Sequence, residues 1–170
     1  GLAQAQALQE LALVLVVSGC GAPDRPGTVD VETLERAIPA GLVPDHPEVV
    51  TVVACPEITL DGLGPVSCTA IIAGVDVPVK VTRPDRLDRM VVSAGVTLVR
   101  AVDVAAEVEE RLVTELGDVD EVSCDPPVRV ARSGQQFTCI VIDPASRAHR
   151  FVATLSGTDA AFRLELVPRG

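Results

Sequence analysis

Two cysteine pairs at nearly one spacing, Cys55 with Cys68 and Cys124 with Cys139, constrain this 170-residue chain more than any other feature. Cys55 to Cys124 is 69 residues and Cys68 to Cys139 is 71, while Val29-Asp30-Val31 returns 73 residues later as Val102-Asp103-Val104. Three landmarks at almost one offset predict two tandem copies of a single unit, each about 70 residues long. A unit of that size has a thin core, so a covalent staple in each is expected to matter. Four cysteines allow three connectivities, and the recurrence favours Cys55–Cys68 with Cys124–Cys139. Each bridge would close a short loop containing turn residues and contribute roughly 3 kcal/mol by chain entropy.

The hydrophobic pattern gives each copy the same content. In residues 29–100, Asp30 is expected to cap a helix with Val31, Leu34, Ala37 and Ile38 on one face, stopped by Pro39 and Gly41. Strand-like runs follow at 49–54, 66–72, 75–82, 90–94 and 96–99. In the third of these, Val75, Val77, Val79 and Val81 alternate with Asp76, Pro78 and Lys80. Pro78 lacks an N–H, which predicts an edge strand or a bulge there. In residues 101–167, Asp103 is expected to cap a second helix with Val104, Val108, Leu112 and Leu116 inward, ended by Gly117. Strands are expected at 137–142, 150–155 and 161–167. The fold class predicted is therefore α+β: two tandem repeats, each one helix followed by an antiparallel β-meander with one disulfide. The chain is 48% hydrophobic but contains only three Phe and no Tyr or Trp, so its cores must be built mainly from Val, Leu, Ile and Ala.

Ahead of the repeats, the apolar run Leu11 to Val17 is too short to span a bilayer, which takes about 20 residues, but suits the apolar part of an export signal. With Val17-Ser18-Gly19-Cys20 after it, the segment 1–20 resembles a bacterial lipoprotein signal, and the resemblance implies that Cys20 is the lipidated residue. Residues 1–19 carry no Lys or Arg, Glu10 is acidic, and the sequence begins at Gly1. The competing reading is an ordinary helix with Leu8, Leu11 and Leu15 on a core. Residues 21–28, with two Pro and two Gly up to Gly27, read as a tether. Five cysteines then divide into one acyl acceptor and an even four, and disulfides persist only in an oxidising compartment. At the far end, Leu166 to Gly170 resembles the thrombin-cleaved linker of recombinant expression, and residues 168–170 are set aside as a tail.

Charge and residue types exclude several functions. A net charge of −10 repels phosphate backbones, and the scarcity of aromatics removes stacking platforms, so nucleic acid is not an expected partner. Neither copy has the Cys-x-x-Cys spacing that zinc sites and thiol oxidoreductases use, and no metal or cofactor is expected. Asp143, Ser146 and His149 form a Ser-His-Asp set on paper, but they share one turn without a nucleophile elbow. Asp118, Asp120 and Glu121 lack the spacing of a calcium loop and read as a solvated connection. Arg83, Arg86, Arg89 and Arg100 make the most basic segment, interrupted by Asp85 and Asp88, which favours local ion pairing over headgroup binding.

Taken together, the signal-like segment, the tether and the cysteine-stapled copies resemble mycobacterial and related actinobacterial lipoproteins. Thirteen Arg against one Lys, with heavy Val and Ala usage, agrees with GC-rich coding. Each copy is similar to a small secreted actinobacterial domain of unknown function with paired cysteines. Val122-Ser123-Cys124-Asp125-Pro126 and Gly134-Gln135-Gln136-Phe137-Thr138-Cys139 carry that likeness best. Gly64-Pro65-Val66-Ser67-Cys68 departs from it in lacking the aromatic. The resemblance supplies no catalytic residues. The function expected is a lipid-anchored extracytoplasmic module that binds an envelope protein or small molecule. The alternatives are an envelope hydrolase using the Asp143-Ser146-His149 turn and a purely structural spacer.

Overall fold

The computed structural model describes residues 30–57, 64–82, 84 and 88–170. The expected signal segment with Cys20, the tether, and Arg83, Asp85 and Arg86 lie outside the described residues. The class is α+β: two helices, two four-stranded antiparallel sheets and a two-stranded ribbon. Helix α1 spans Val31–Leu42, strand β1 Val50–Ala54, β2 Val66–Ile72, β3 Val75–Thr82, β4 Val91–Ala94 and β5 Leu98–Arg100. Helix α2 spans Ala101–Leu116, β6 Glu121–Asp125, β7 Val128–Val130, β8 Gln136–Ile142, β9 Ala148–Leu155 and β10 Phe162–Leu166. One sheet runs β1-β2-β3-β4 and the other β6-β8-β9-β10, while β5 pairs with β7.

Helix α1 begins where its cap chemistry dictates. The Asp30 carboxylate accepts from the Glu32 N–H at 3.1 Å and from the Thr33 hydroxyl at 2.6 Å. The Thr33 hydroxyl is the main cause that holds the Asp30 carboxyl below its ordinary value. The expected stop at Pro39 is wrong, because the helix runs through it to Leu42 and the Val43 N–H still reaches the Pro39 carbonyl at 2.9 Å. Proline forfeits one helical hydrogen bond. Against that loss, carrying the helix past Pro39 brings Val43, nearly fully buried, into the core beside Ile38.

In β3 the alternation survives intact, with Val77, Val79 and Val81 buried and Asp76, Pro78 and Lys80 exposed. The expectation that Pro78 marks an edge strand is corrected: β3 is internal, between β2 and β4. The proline is tolerated because β4 pairing ends at Ala94 opposite Val79, so no partner carbonyl needs the missing N–H. The Pro78 carbonyl instead accepts from the Gly95 N–H at 2.7 Å, where the chain leaves the sheet.

Helix α2 also starts differently from expectation. Asp103 is not its N-cap; Arg100 occupies that position without a side-chain cap. Strand β5 runs directly into the helix, and the Ala101 N–H donates to the Pro127 carbonyl at 2.8 Å, so the neighbouring segment satisfies one of the N–H groups that the helix start leaves without an intrahelical partner. Asp103 sits in the first turn, where its charge complements the helix dipole. Val104, Val108 and Leu112 are buried as the periodicity predicts, but Leu116 is 73% exposed and does not join the inward face. Gly117 ends the helix at φ 90°, a left-handed conformation open to glycine.

Two cores result. The first gathers Leu34 and Ile38 of α1 with the inward residues of β2 and β3, and contains no aromatic. The second gathers the buried face of α2 with β8, β9 and β10, and holds all three Phe of the chain. The β5–β7 ribbon belongs to both. Leu98, Val128 and Val130 share one face and pack into the first core, while Val99 on the opposite face packs into the second. A segment from beyond residue 101 thus completes the core of the residues before it.

Candidate functional site

The four cysteines after the signal-like segment form the two bridges that the recurrence favours. Cys55–Cys68 and Cys124–Cys139 have Cα separations of 4.4 and 4.1 Å. Those distances are near the close spacing of directly opposed, non-hydrogen-bonded residues on antiparallel strands, and Cys124 stands opposite Cys139 in the register. Glu35 of α1 accepts from the Cys55 N–H at 2.9 Å, tying the helix to the staple. Two disulfides point to an oxidising extracytoplasmic environment. Among the described residues no helix is long and apolar enough to cross a membrane.

The Asp143 turn is a hydrogen-bonded lock. His149 Nε2 donates to Asp143 Oδ2 at 2.9 Å, and Arg147 donates to the same carboxyl group through its main-chain N–H at 2.9 Å and its Nε at 3.1 Å. These donors, the His149 bond foremost, lower the Asp143 carboxyl from 3.8 to about 2. Ser146 takes part through its main chain, donating its N–H to the Asp143 carbonyl at 2.8 Å, and adopts φ 61° at the corner. Among the described residues its hydroxyl makes no hydrogen bond to His149. Asp118, Asp120 and Glu121 are exposed along the connection from α2 into β6. Arg89 pairs with Asp88 at 3.9 Å, in line with local ion pairing.

A different place has the shape of a binding site. A cavity of about 610 Å³ opens where the end of α1, the start of α2 and the β6–β7 turn meet. That volume lies within the range of small-molecule pockets. Leu42, Val43 and Pro44 wall one side, Leu98, Ala101 and Val102 another, and Cys124, Pro127 and Val128 the third. Among the described residues, the polar side chains lining it are Asp45, His46, Arg100 and Asp125. Arg100 spans the opening, with Nη1 at 3.4 Å from Asp45 and Nε at 3.3 Å from Asp103. His46 is turned to Glu48, Nδ1 to Oε1 at 3.0 Å. Asp125 precedes a cis peptide bond to Pro126, and among the described residues its carboxylate has no ion-pair or hydrogen-bond partner.

Of the lining residues, sequence reasoning singles out Arg100 in a basic segment and Cys124 as a disulfide cysteine, neither as part of a cavity. The others are ordinary core and loop residues that three separated segments bring together. Val102 carries the one local signal, since a 60% exposed valine on the first turn of a helix has no packing role there. Comparison with protein-family models, curated proteins and solved structures found no match.

Proposed function

We propose that this chain is a lipid-anchored extracytoplasmic binding module of the actinobacterial lipoprotein type, built from two tandem copies of one unit and performing no catalysis. The observation that carries the binding reading is the cavity of about 610 Å³ with apolar walls from both halves and a few polar side chains among them. The tandem reading is supported by matching order: β2, β3 and β4 begin 70, 73 and 71 residues before β8, β9 and β10. The β5–β7 ribbon has no described counterpart in the first half. Membrane attachment rests on the sequence around Cys20 and on the disulfides, which fit export.

Native mass spectrometry of the protein released from its own envelope tests the binding reading. The wild type is expected to carry a small-molecule adduct that Val102→Trp removes while thermal stability is unchanged, because Val102 is an exposed wall residue. An unliganded wild type that also gains no thermal stability from added amphiphiles would favour the spacer. For the anchor, growth with an alkyne-tagged fatty acid should label the wild type but not Cys20→Ser; equal labelling would remove Cys20 as the acceptor.

The hydrolase reading draws on the Asp143–His149 contact alone. Arg147 shares that carboxylate and Ser146 offers its main chain to it, which makes a turn lock the simpler account. Loss of turnover of any envelope substrate in a folded His149→Ala protein would reverse that preference.

A further inference from the structure

We infer that the cavity between the two halves takes a linear aliphatic amine, its alkyl chain along the apolar walls and its ammonium group beside Asp125; this inference rests on the binding reading above. Among the described residues the walls carry no Phe, Tyr or Trp and no amide or hydroxyl side chain. His46, turned to Glu48, is the one aromatic ring among these residues, so sugar rings and planar heterocycles find little stacking surface and few neutral hydrogen-bonding groups, whereas a flexible hydrocarbon chain gains from every apolar contact.

Charge decides the head group. Arg100, the one guanidinium among the described lining residues, is engaged by both Asp45 and Asp103. Asp125 lines the same cavity with its carboxylate unpaired among the described residues. Among the described residues, Asp45, Asp103 and Asp125 outnumber the Arg100 guanidinium three to one, and an ammonium group beside Asp125 reduces that excess of negative charge. A carboxylate or phosphate head would have to displace Asp45 or Asp103 from Arg100 and would then face Asp125. The chain's net charge of −10 also raises the local concentration of cations and lowers that of anions.

Isothermal titration of the full chain with decylamine, decanol and decanoate, each below its micelle concentration, tests this. Decylamine is expected to bind tightest, decanol next and decanoate weakest. Asp125→Asn should weaken decylamine about two- to fivefold, as expected for a solvent-accessible charge pair, and leave decanol unchanged. Without any variant, raising the salt concentration should weaken decylamine and spare decanol. Decanoate binding as tightly as decylamine, or decylamine binding that ignores both salt and Asp125→Asn, would overturn the ligand class while leaving the cavity as a binding site. If none of the three binds, the binding reading falls with it.

Discussion

Asp143 gathers three donors from Arg147 in its turn and His149 in β9, and its ionisation is the clearest titration the fold builds in. Because its carboxyl is lowered from 3.8 to about 2, chiefly by His149, the folded state holds the charged form more strongly than the unfolded chain does. The resulting stability is complete above about pH 4 and disappears as the pH falls through about 2. Denaturant titrations from pH 2 to 6 should therefore find Asp143→Asn less stable than the wild type at pH 5 and 6, with the gap closing toward pH 2. A gap that stayed constant over that range would show that the carboxylate charge plays no part. The sequence places Asp143, Ser146 and His149 in one turn, but not which atoms meet. Arg147 lies between them in the chain and takes two of the carboxylate's hydrogen bonds, an outcome set by the turn's backbone and invisible to a residue pattern.

At the scale of the element, alternation and capping were legible wherever a segment is stabilised by its own side-chain pattern. Asp30 as a cap, the valines of β3, and the inward Val104, Val108 and Leu112 of α2 all follow from local period. The differences arise where a neighbour supplies what the pattern lacks. Pro78 is accepted inside a sheet because β4 ends opposite Val79, and Gly95 is held against it: a Cβ on Gly95 would lie 2.8 Å from Pro78 Cγ. Gly95→Ala should destabilise the protein by about 1–3 kcal/mol, since the proline ring cannot move without disturbing the sheet. An unchanged denaturation midpoint would mean that the chain leaves β4 by another route. Strand β6 escapes the sequence because Glu121–Asp125 has acidic ends and a single Val in place of an apolar run, and β7 because three residues after two prolines are too few for a period to register. The early start of α2 has a similar cause, its first N–H being satisfied by Pro127 across the ribbon.

For the whole molecule, the β5–β7 ribbon makes the two halves interdependent, since Val130 is buried in the first core although it lies in the second half of the chain. Val130→Ala should cost about 2 kcal/mol. Amide exchange in β2 and β3 should then accelerate at least as much as in β8 and β9. Acceleration confined to β8 and β9 would show that the ribbon does not support the first core. The same ribbon forms a wall of the cavity through Leu98 and Val128, so the candidate site exists only because the halves share it. By itself the sequence determined the α+β class, most strand positions, the cap of α1 and the disulfide partners, because period, cap chemistry and cysteine recurrence are written in neighbouring residues or in one repeated offset. Only the tertiary structure decided that β7 completes the other core, that Arg100 spans Asp45 and Asp103, and that three distant segments enclose a cavity. Those outcomes depend on which apolar faces find each other in space, and no local pattern records that choice.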